Sequence, residues 1–158
     1  MGRRAAPAVN RTRHRSRHTL MRHGEAAFVD SGAWIALALS RDPLHSQARE
    51  QWDVLQAAGS KLHTSTPVVI ETFTFLDRNA NRDVALAWKE SIYKPRTVKI
   101  LPCELRDLEV SWEYFRRQDL HKLSAVDATS FAIMKRSRIR VAFAFDHHFS
   151  IAGFRLVA

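Results

Sequence analysis

The stretch SAVDATSFAIMKRSRIRVAFAFD, residues 124–146, joins a helix pattern to a strand pattern, and this order indicates the fold class. Ser124 followed three residues later by Asp127 has the form of a capping box, which predicts that a helix begins there. After a basic turn, the apolar run 141–145 predicts a buried strand, and Asp146 follows it directly. A helix that leads into a buried strand is the building unit of parallel α/β sheets.

The same alternation of strand and helix patterns extends over the rest of the chain. The pattern predicts one α/β domain with a central parallel sheet and helices on both faces. The predicted elements are strand 26–29, helix 33–39, helix 44–58, strand 61–64, a helix capped by Thr66 with Pro67 at its first position, helix 82–93, strand 98–101, helix 104–117, helix 124–134, strand 141–145 and strand 154–157.

Composition excludes several classes of protein. Of the 158 residues, 46% are hydrophobic, which is enough for a core, and Cys103 is the single cysteine. One cysteine excludes an intrachain disulfide and a cysteine zinc site. The longest apolar run, 33–39, is far shorter than the roughly 20 residues that cross a bilayer. We therefore expect a cytoplasmic protein without membrane association.

Positive charge is concentrated at the N-terminus. The formal net charge is +9, and residues 1–23 contain seven arginines and no acid, so the remainder carries 9 − 7 = +2. This segment lacks a hydrophobic period, so we predict a basic, disordered tail over 1–25 and a folded domain over 26–158. Three explanations stay open for the tail: non-specific contact with nucleic acid, an over-extended start with Met21 as the initiator, and a transit peptide.

Four carboxylates occupy positions that suggest a shared site. Asp30 and Asp146 each follow a predicted strand, and ligands of open α/β sheets bind beyond the carboxyl ends of the strands. Glu71 lies among apolar residues of a helix, where burial of a lone carboxylate is costly. Asp127 begins the helix described above. Each acid also has a structural explanation: a turn for the two strand-end residues, a solvent-facing strip for Glu71, and the helix cap for Asp127.

Carboxylates that share one cleft require either that some of them are protonated or that a cation lies among them. At about 5 Å and an effective dielectric near 20, each pair repels by roughly 3 kcal/mol. A divalent ion removes this penalty, and an all-oxygen ligand set favours Mg²⁺ or Mn²⁺ over zinc. Because neighbours on an extended chain point in opposite directions, His147 and His148 are not expected to bind one ion together. One of them is a candidate contact for substrate phosphate, but we predict a solvated surface pair.

Three segments together resemble the PIN-domain family, specifically VapC-like toxin ribonucleases. They are FVDSGAWIAL (28–37), VVIETFTFL (68–76) and HKLSAVDATSFAIMKRSRIRVAFAFDHHFSIAGF (121–154), in that order. The resemblance covers 28–157. It implies that Asp30, Glu71, Asp127 and Asp146 form an acidic metal site. It also implies an RNA substrate and a small antitoxin partner. Some relatives carry a further acid after the fourth, where this chain has two histidines.

The function expected from these observations is Mg²⁺-dependent hydrolysis of RNA by the toxin of a toxin–antitoxin pair. The four acids are the expected catalytic and metal-binding residues, and we expect a homodimer. The helices that carry Trp34, Trp52 and Leu55 are a candidate dimer or antitoxin surface. Two alternatives remain: an RNA-processing nuclease without an antitoxin, and a non-catalytic module that binds RNA or a partner. Candidate substrate contacts are Ser31, Arg116, Lys122, Lys135 and Arg136.

Overall fold

Strands and helices alternate along residues 21–94 and 98–158, the part of the chain that this computed structural model describes. In chain order the elements are β1 (Ala26–Val29), α1 (Ser31–Ala38), α2 (His45–Ala57), β2 (Lys61–Ser65), α3 (Thr66–Asn79), α4 (Arg82–Ile92), β3 (Lys99–Leu101), α5 (Leu105–Tyr114), α6 (Ala125–Arg136), β4 (Val141–Phe143), α7 (His148–Ile151) and β5 (Arg155–Leu156).

The five strands form one sheet in the order β3-β2-β1-β4-β5, and every neighbouring pair is parallel. In β1, Ala27, Phe28 and Val29 are all fully buried. Successive residues of a strand point to opposite faces, so both faces of the central strand are covered. The predicted α/β fold with a central parallel sheet and helices on both faces is therefore confirmed.

Strand pairing brings the ends of β1 and β4 together. Val29, the last residue of β1, lies in register with Phe143, the last residue of β4. The backbone N–H of Asp30 continues this ladder and donates to the carbonyl of Phe143 at 3.0 Å. Residues that follow these two strands therefore start from one point on the carboxyl edge of the sheet, as the sequence predicts.

Aromatic side chains fill the space between the sheet and the helices. Phe131 of α6 contacts Phe149 with ring centroids 4.9 Å apart and Phe154 at 5.7 Å. On the other side, Trp34 of α1 lies 6.1 Å from Trp88 of α4. These contacts anchor α1 and α6, the two helices that begin at predicted site residues. In the described part of the chain, no helix is both long enough and apolar enough to cross a membrane.

Three boundaries differ from the predicted elements for local reasons. Helix α1 starts at Ser31 without an intervening turn, because Asp30 itself serves as the N-cap. The N-cap of α3 is Ser65 and not Thr66, since the Ser65 hydroxyl accepts from the Val68 N–H. The last long strand ends at Phe143, and the short helix α7 that follows was not predicted.

Residues 21–25, which the sequence analysis assigns to the tail, contact the domain. Met21 packs against the core, and the Gly24 N–H donates to the Ala58 carbonyl at 2.8 Å. Glu25 forms an ion pair with Arg155 of β5. These contacts join residues 21–25 to the domain, whereas the rest of the predicted tail lies outside the described residues.

Candidate metal and active site

Asp30 is a buried carboxylate with an incomplete set of partners. Its Oδ2 accepts a long hydrogen bond of 3.4 Å from the Gly32 N–H. Its Oδ1 is buried without a hydrogen-bond partner among the described residues. Burial, followed by the charge of Asp127 and more weakly that of Glu71, raises the pKa of Asp30 from 3.8 to about 7. The site therefore penalises the charged form of Asp30 unless a cation is close to it.

Glu71 faces Asp30 from helix α3. Burial raises the pKa of Glu71, the Ser31 hydroxyl lowers it by a hydrogen bond, and Asp127 raises it. The alternative of a solvent-facing polar strip accounts for Glu71 only in part, because its side chain is half-buried and coupled to two other acids. Packing of α3 against both α1 and α6 produces this arrangement.

Asp127 serves as a capping residue and as a member of the acidic group at the same time. Its backbone N–H donates to the Ser124 hydroxyl at 3.0 Å, and that hydroxyl donates to Asp127 Oδ2 at 2.7 Å. Burial nonetheless raises the pKa of Asp127, with a further contribution from Asp146, against the lowering effect of Ser124 and His148. The structural and the chemical explanations of this residue are thus compatible.

Asp146 completes the group from the end of β4. Its Oδ1 accepts the backbone N–H of His148 at 2.8 Å. Its side chain is about one-third exposed, at 37%, so it forms the open side of the group. The electrostatic coupling runs from Asp30 and Glu71 to Asp127, and from Asp127 to Asp146. Four distant parts of the chain are brought together in this way.

The donor set of this acidic group, defined as Asp30, Glu71, Asp127 and Asp146, fits a hard divalent cation. All its side-chain donors are carboxylate oxygens, the ligands that Mg²⁺ and Mn²⁺ prefer. The buried and unpartnered Oδ1 of Asp30 is an oxygen that a cation would satisfy. Burial and mutual repulsion raise the pKa values of three of the four acids, so a positive charge among them would be strongly favoured.

The candidate substrate contacts divide into two groups. Ser31 is buried and bonds to Glu71, so it supports the acidic group from within. Arg116 pairs with Glu113 at 3.2 Å, and Lys135 lies over the Tyr114 ring at 5.2 Å, so both have local partners. Lys122 is exposed in the loop before α6 and has a left-handed backbone with φ of 56°. Of these cations, Lys122 is the one for which the described part of the chain shows neither an ion pair nor an aromatic contact.

Arg136, which was expected to contact substrate, forms part of the scaffold. Its guanidinium donates to both oxygens of Asp107, at 2.8 and 2.9 Å, and to the Pro102 carbonyl at 2.9 Å. Burial alone would raise the pKa of Asp107, but the hydrogen bonds from Arg136 and from the Glu104 N–H outweigh it and lower the pKa. The sequence pattern missed this role because the partner lies 29 residues away.

Arg136→Met is expected to destabilise the fold by about 3 kcal/mol, because it leaves the buried Asp107 carboxylate without its cation. Urea unfolding of the two proteins measures the change. Arg116→Met is the matched control, since it removes an exposed pair that contributes at most about 1 kcal/mol. Equal losses in the two variants would contradict the structural role of Arg136.

The two histidines after Asp146 differ from the predicted solvated pair. His147 is exposed, but His148 is only 7% exposed, and its Nε2 lies 2.8 Å from the His121 carbonyl oxygen. Their ring centroids are 4.4 Å apart. The chain here is helical and not extended, with φ −64° and ψ −18° at His147, so the two side chains are about 100° apart and do not point in opposite directions. An Asp just after a strand is also an N-terminal helix signal, and it was the available clue.

The comparisons with known proteins show the family of this chain. The PIN domain family model matches residues 27–155. The chain is 38% identical over 128 residues to the 23S rRNA-specific endonuclease VapC20 of Mycobacterium tuberculosis (strain ATCC 25618 / H37Rv). That alignment covers 80% of this chain and 94% of the relative.

Solved structures give the same result. The crystal structure of Mycobacterium tuberculosis VapC20, described as a sarcin–ricin loop cleaving toxin, matches with a TM-score of 0.72 and 35% identity, covering 81% of this chain and 95% of that one. VapBC2 from Rickettsia felis, bound to a DNA fragment from its promoter, matches with a TM-score of 0.62 over 83% and 96% of the two chains. At 10% identity, the second likeness concerns the fold alone. The chain belongs to the PIN-domain family and is a homologue of its VapC-type toxin ribonucleases.

Proposed function

We propose that this chain is a Mg²⁺-dependent (or Mn²⁺-dependent) endoribonuclease that hydrolyses RNA phosphodiester bonds as the toxin of a toxin–antitoxin pair. One observation carries the proposal. Four carboxylates from distant segments are electrostatically coupled, and the most buried of them, Asp30, has a pKa raised to about 7. A cluster of acids without a cation destabilises the fold by mutual repulsion and burial, and it gives the protein no function in return. A cluster that binds a cation has a function that accounts for this cost.

Each acid has a proposed role. Asp30, Asp127 and Asp146 hold the divalent ion directly or through water, and Glu71 is a further ligand or orients the attacking water. When bound, the ion supplies positive charge for the scissile phosphate and favours ionisation of water. The Ser31 hydroxyl donates to the Glu71 carboxylate, which orients it and opposes the rise in its pKa that burial causes. Ser124 does the same for Asp127.

Ribosomal RNA is the proposed substrate class. The proposed location of the protein is the cytoplasm, where this substrate is found. The support is the relative at 38% identity, which is described as a 23S rRNA-specific endonuclease. The basic loop residue Lys122 leads directly into α6 and its Asp127, so a phosphate bound to it would lie near the acidic group. Arg116 and Lys135 are second-choice contacts, because each would first have to leave its local partner.

Cleavage of purified ribosomal RNA tests the catalytic proposal. We expect discrete fragments with Mg²⁺ or Mn²⁺ and none with EDTA, because the acidic group cannot act on phosphate without positive charge. Gel analysis of the fragments measures the result. RNA binding without cleavage under any metal condition would favour the non-catalytic alternative. If the chain cleaves RNA and no small protein encoded beside it inhibits the cleavage, the alternative of an RNA-processing nuclease is favoured.

A groove between α1, α2 and α4 is the proposed binding site of the antitoxin. Its volume is about 470 Å³ and Arg49 lies at its edge. Trp34 and Leu55 were expected on the partner surface, but both are buried in the core. The antitoxin can therefore contact the groove and not the whole face of these helices. An apolar antitoxin segment with an acidic residue for Arg49 would fit it. Its apolar lining is Trp34, Leu37, Ala38, Trp52, Val84, Ala87, Trp88 and Ile92.

A second copy of the chain is proposed to cover the exposed apolar face of α3 and α5. Ile70 is 67% exposed and Leu105 is 74% exposed, which is costly for an isolated protein. Other exposed apolar residues on these two helices, or directly after α5, are Phe75, Leu108, Val110, Trp112 and Phe115.

Light scattering tests the dimer: we expect twice the chain mass, and Leu105→Lys should give a monomer, because it places a charge in the contact. Leu86→Lys, on the exposed part of α4, is the control and should remain dimeric. A monomeric wild-type protein at micromolar concentration would contradict this proposal.

A further inference from the structure

We propose that Asp146, His147 and His148 form a second metal site, distinct in its chemistry from the acidic group, which takes a borderline divalent ion of the Zn²⁺ class. Each of the three residues offers one ligand atom, and these atoms lie within 4.8 Å of one another. Two imidazole nitrogens, one carboxylate oxygen and a water molecule are a common ligand set for Zn²⁺. Mg²⁺ prefers oxygen ligands and would not select this site.

The state of the His148 ring is the first argument. Its Nε2 lies 2.8 Å from the His121 carbonyl oxygen, and because a carbonyl can only accept, Nε2 carries the hydrogen. In the neutral ring Nδ1 is then a lone-pair acceptor. Histidine ligands of metals usually have this arrangement, in which the other ring nitrogen donates to a backbone carbonyl and fixes the tautomer.

The buried and unpartnered Nδ1 of His148 is the second argument. His148 is only 7% exposed, and its Nδ1 has no hydrogen-bond partner among the described residues. Asp146 Oδ1 lies 2.9 Å from it, but this oxygen already accepts the backbone N–H of His148 and is not aligned for a bond to the ring. The close contact between these two acceptor atoms, His148 Nδ1 and Asp146 Oδ1, becomes favourable when a cation binds both of them.

His147 supplies the third ligand from the solvent side. Its Nδ1 is 3.5 Å from Asp146 Oδ1, and its ring is 4.4 Å from that of His148. A Zn²⁺ ion bonds nitrogen and oxygen at about 2.0–2.2 Å, so a small rotation of the exposed His147 ring brings all three ligands within reach. Asp146 also has a second oxygen, Oδ2, which leaves it able to serve the acidic group as well.

Zinc binding by the full-length, untagged chain tests the site without RNA. Calorimetric titration with Zn²⁺ at pH 7.5, in a large excess of Mg²⁺ to fill all-oxygen sites, should give one equivalent bound. Long-range ¹H–¹⁵N spectra should show that the ring nitrogens of His147 and His148 move. His147→Ala should weaken Zn²⁺ binding by about tenfold or more, because it removes one of three ligands. The side chain is exposed, so this variant should fold.

His23→Ala is the matched control, since it removes an exposed imidazole elsewhere and should leave Zn²⁺ affinity unchanged. Equal Zn²⁺ binding by the wild type and His147→Ala would overturn the proposal, as would zinc-induced shifts confined to other histidines. The inference does not rest on the proposed function. Zinc binding without RNA cleavage would contradict only the nuclease, and cleavage without zinc binding at these residues would contradict only the second site.

Discussion

Asp127→Asn is expected to lower the rate of RNA cleavage by about 10²–10³-fold while the protein stays folded, because it removes one negative ligand from the acidic group. The asparagine oxygen can still accept from the Ser124 hydroxyl, and the backbone N–H of residue 127 can still donate to it. The helix cap is therefore retained. Single-turnover cleavage at saturating enzyme measures the effect on chemistry apart from RNA binding.

Ser124→Ala is the matched control for that experiment. It removes the hydroxyl that caps α6 but keeps the carboxylate. We expect it to cost about 1 kcal/mol of stability and to reduce cleavage far less than Asp127→Asn. An Asp127→Asn variant that still cleaves RNA at the wild-type rate, with stimulation by Mg²⁺, would show that Asp127 has only the capping role.

Asp30→Asn is expected to abolish cleavage and also to stabilise the metal-free protein at neutral pH. The pKa of Asp30 is about 7 in the folded state against 3.8 ordinarily. Between these values the folded state holds a proton that the unfolded state has lost, so the free energy of unfolding falls as pH rises. Three pH units at about 1.4 kcal/mol each give a loss of about 4 kcal/mol by pH 7, which asparagine avoids.

Urea unfolding in EDTA at pH 4.5 and at pH 7.5 measures this effect. The free energy of unfolding of the variant, relative to that of the wild type, should be higher at pH 7.5 than at pH 4.5. Adding Mg²⁺ at pH 7.5 should make this difference smaller, because the ion stabilises the wild type. Asp119→Asn is the control, because Arg117 lowers the pKa of this exposed acid and so gives no loss with rising pH. If the stability difference between variant and wild type is the same at both pH values, the raised pKa of Asp30 is contradicted.

The parts of the site that follow from backbone geometry were predictable from sequence. Asp30 and Asp146 directly follow apolar strand patterns, and parallel strands present their carboxyl ends at one edge. The Ser124–Asp127 pattern places the third acid at a helix start by local chemistry alone. Periodicity and caps therefore predict both the fold and the positions of these acids.

The parts that depend on distant side chains were not predictable in this way. Arg136 reads as a basic residue at a helix end, and only the packing of α5 against α6 brings Asp107 to it. His148 reads as a surface residue, and its burial follows from the turn into α7 and from the carbonyl of His121. A local pattern carries no information about such partners, because the contact is made by tertiary structure.

A crystal of the protein grown with Mn²⁺, with anomalous diffraction used to locate the ion, would show whether the four acids share a metal. We expect a Mn²⁺ peak bonded to carboxylate oxygens of Asp30 and Asp127, with Asp146 and Glu71 as ligands or one water molecule away. Well-ordered crystals at millimolar Mn²⁺ with no ion among these four acids would contradict it.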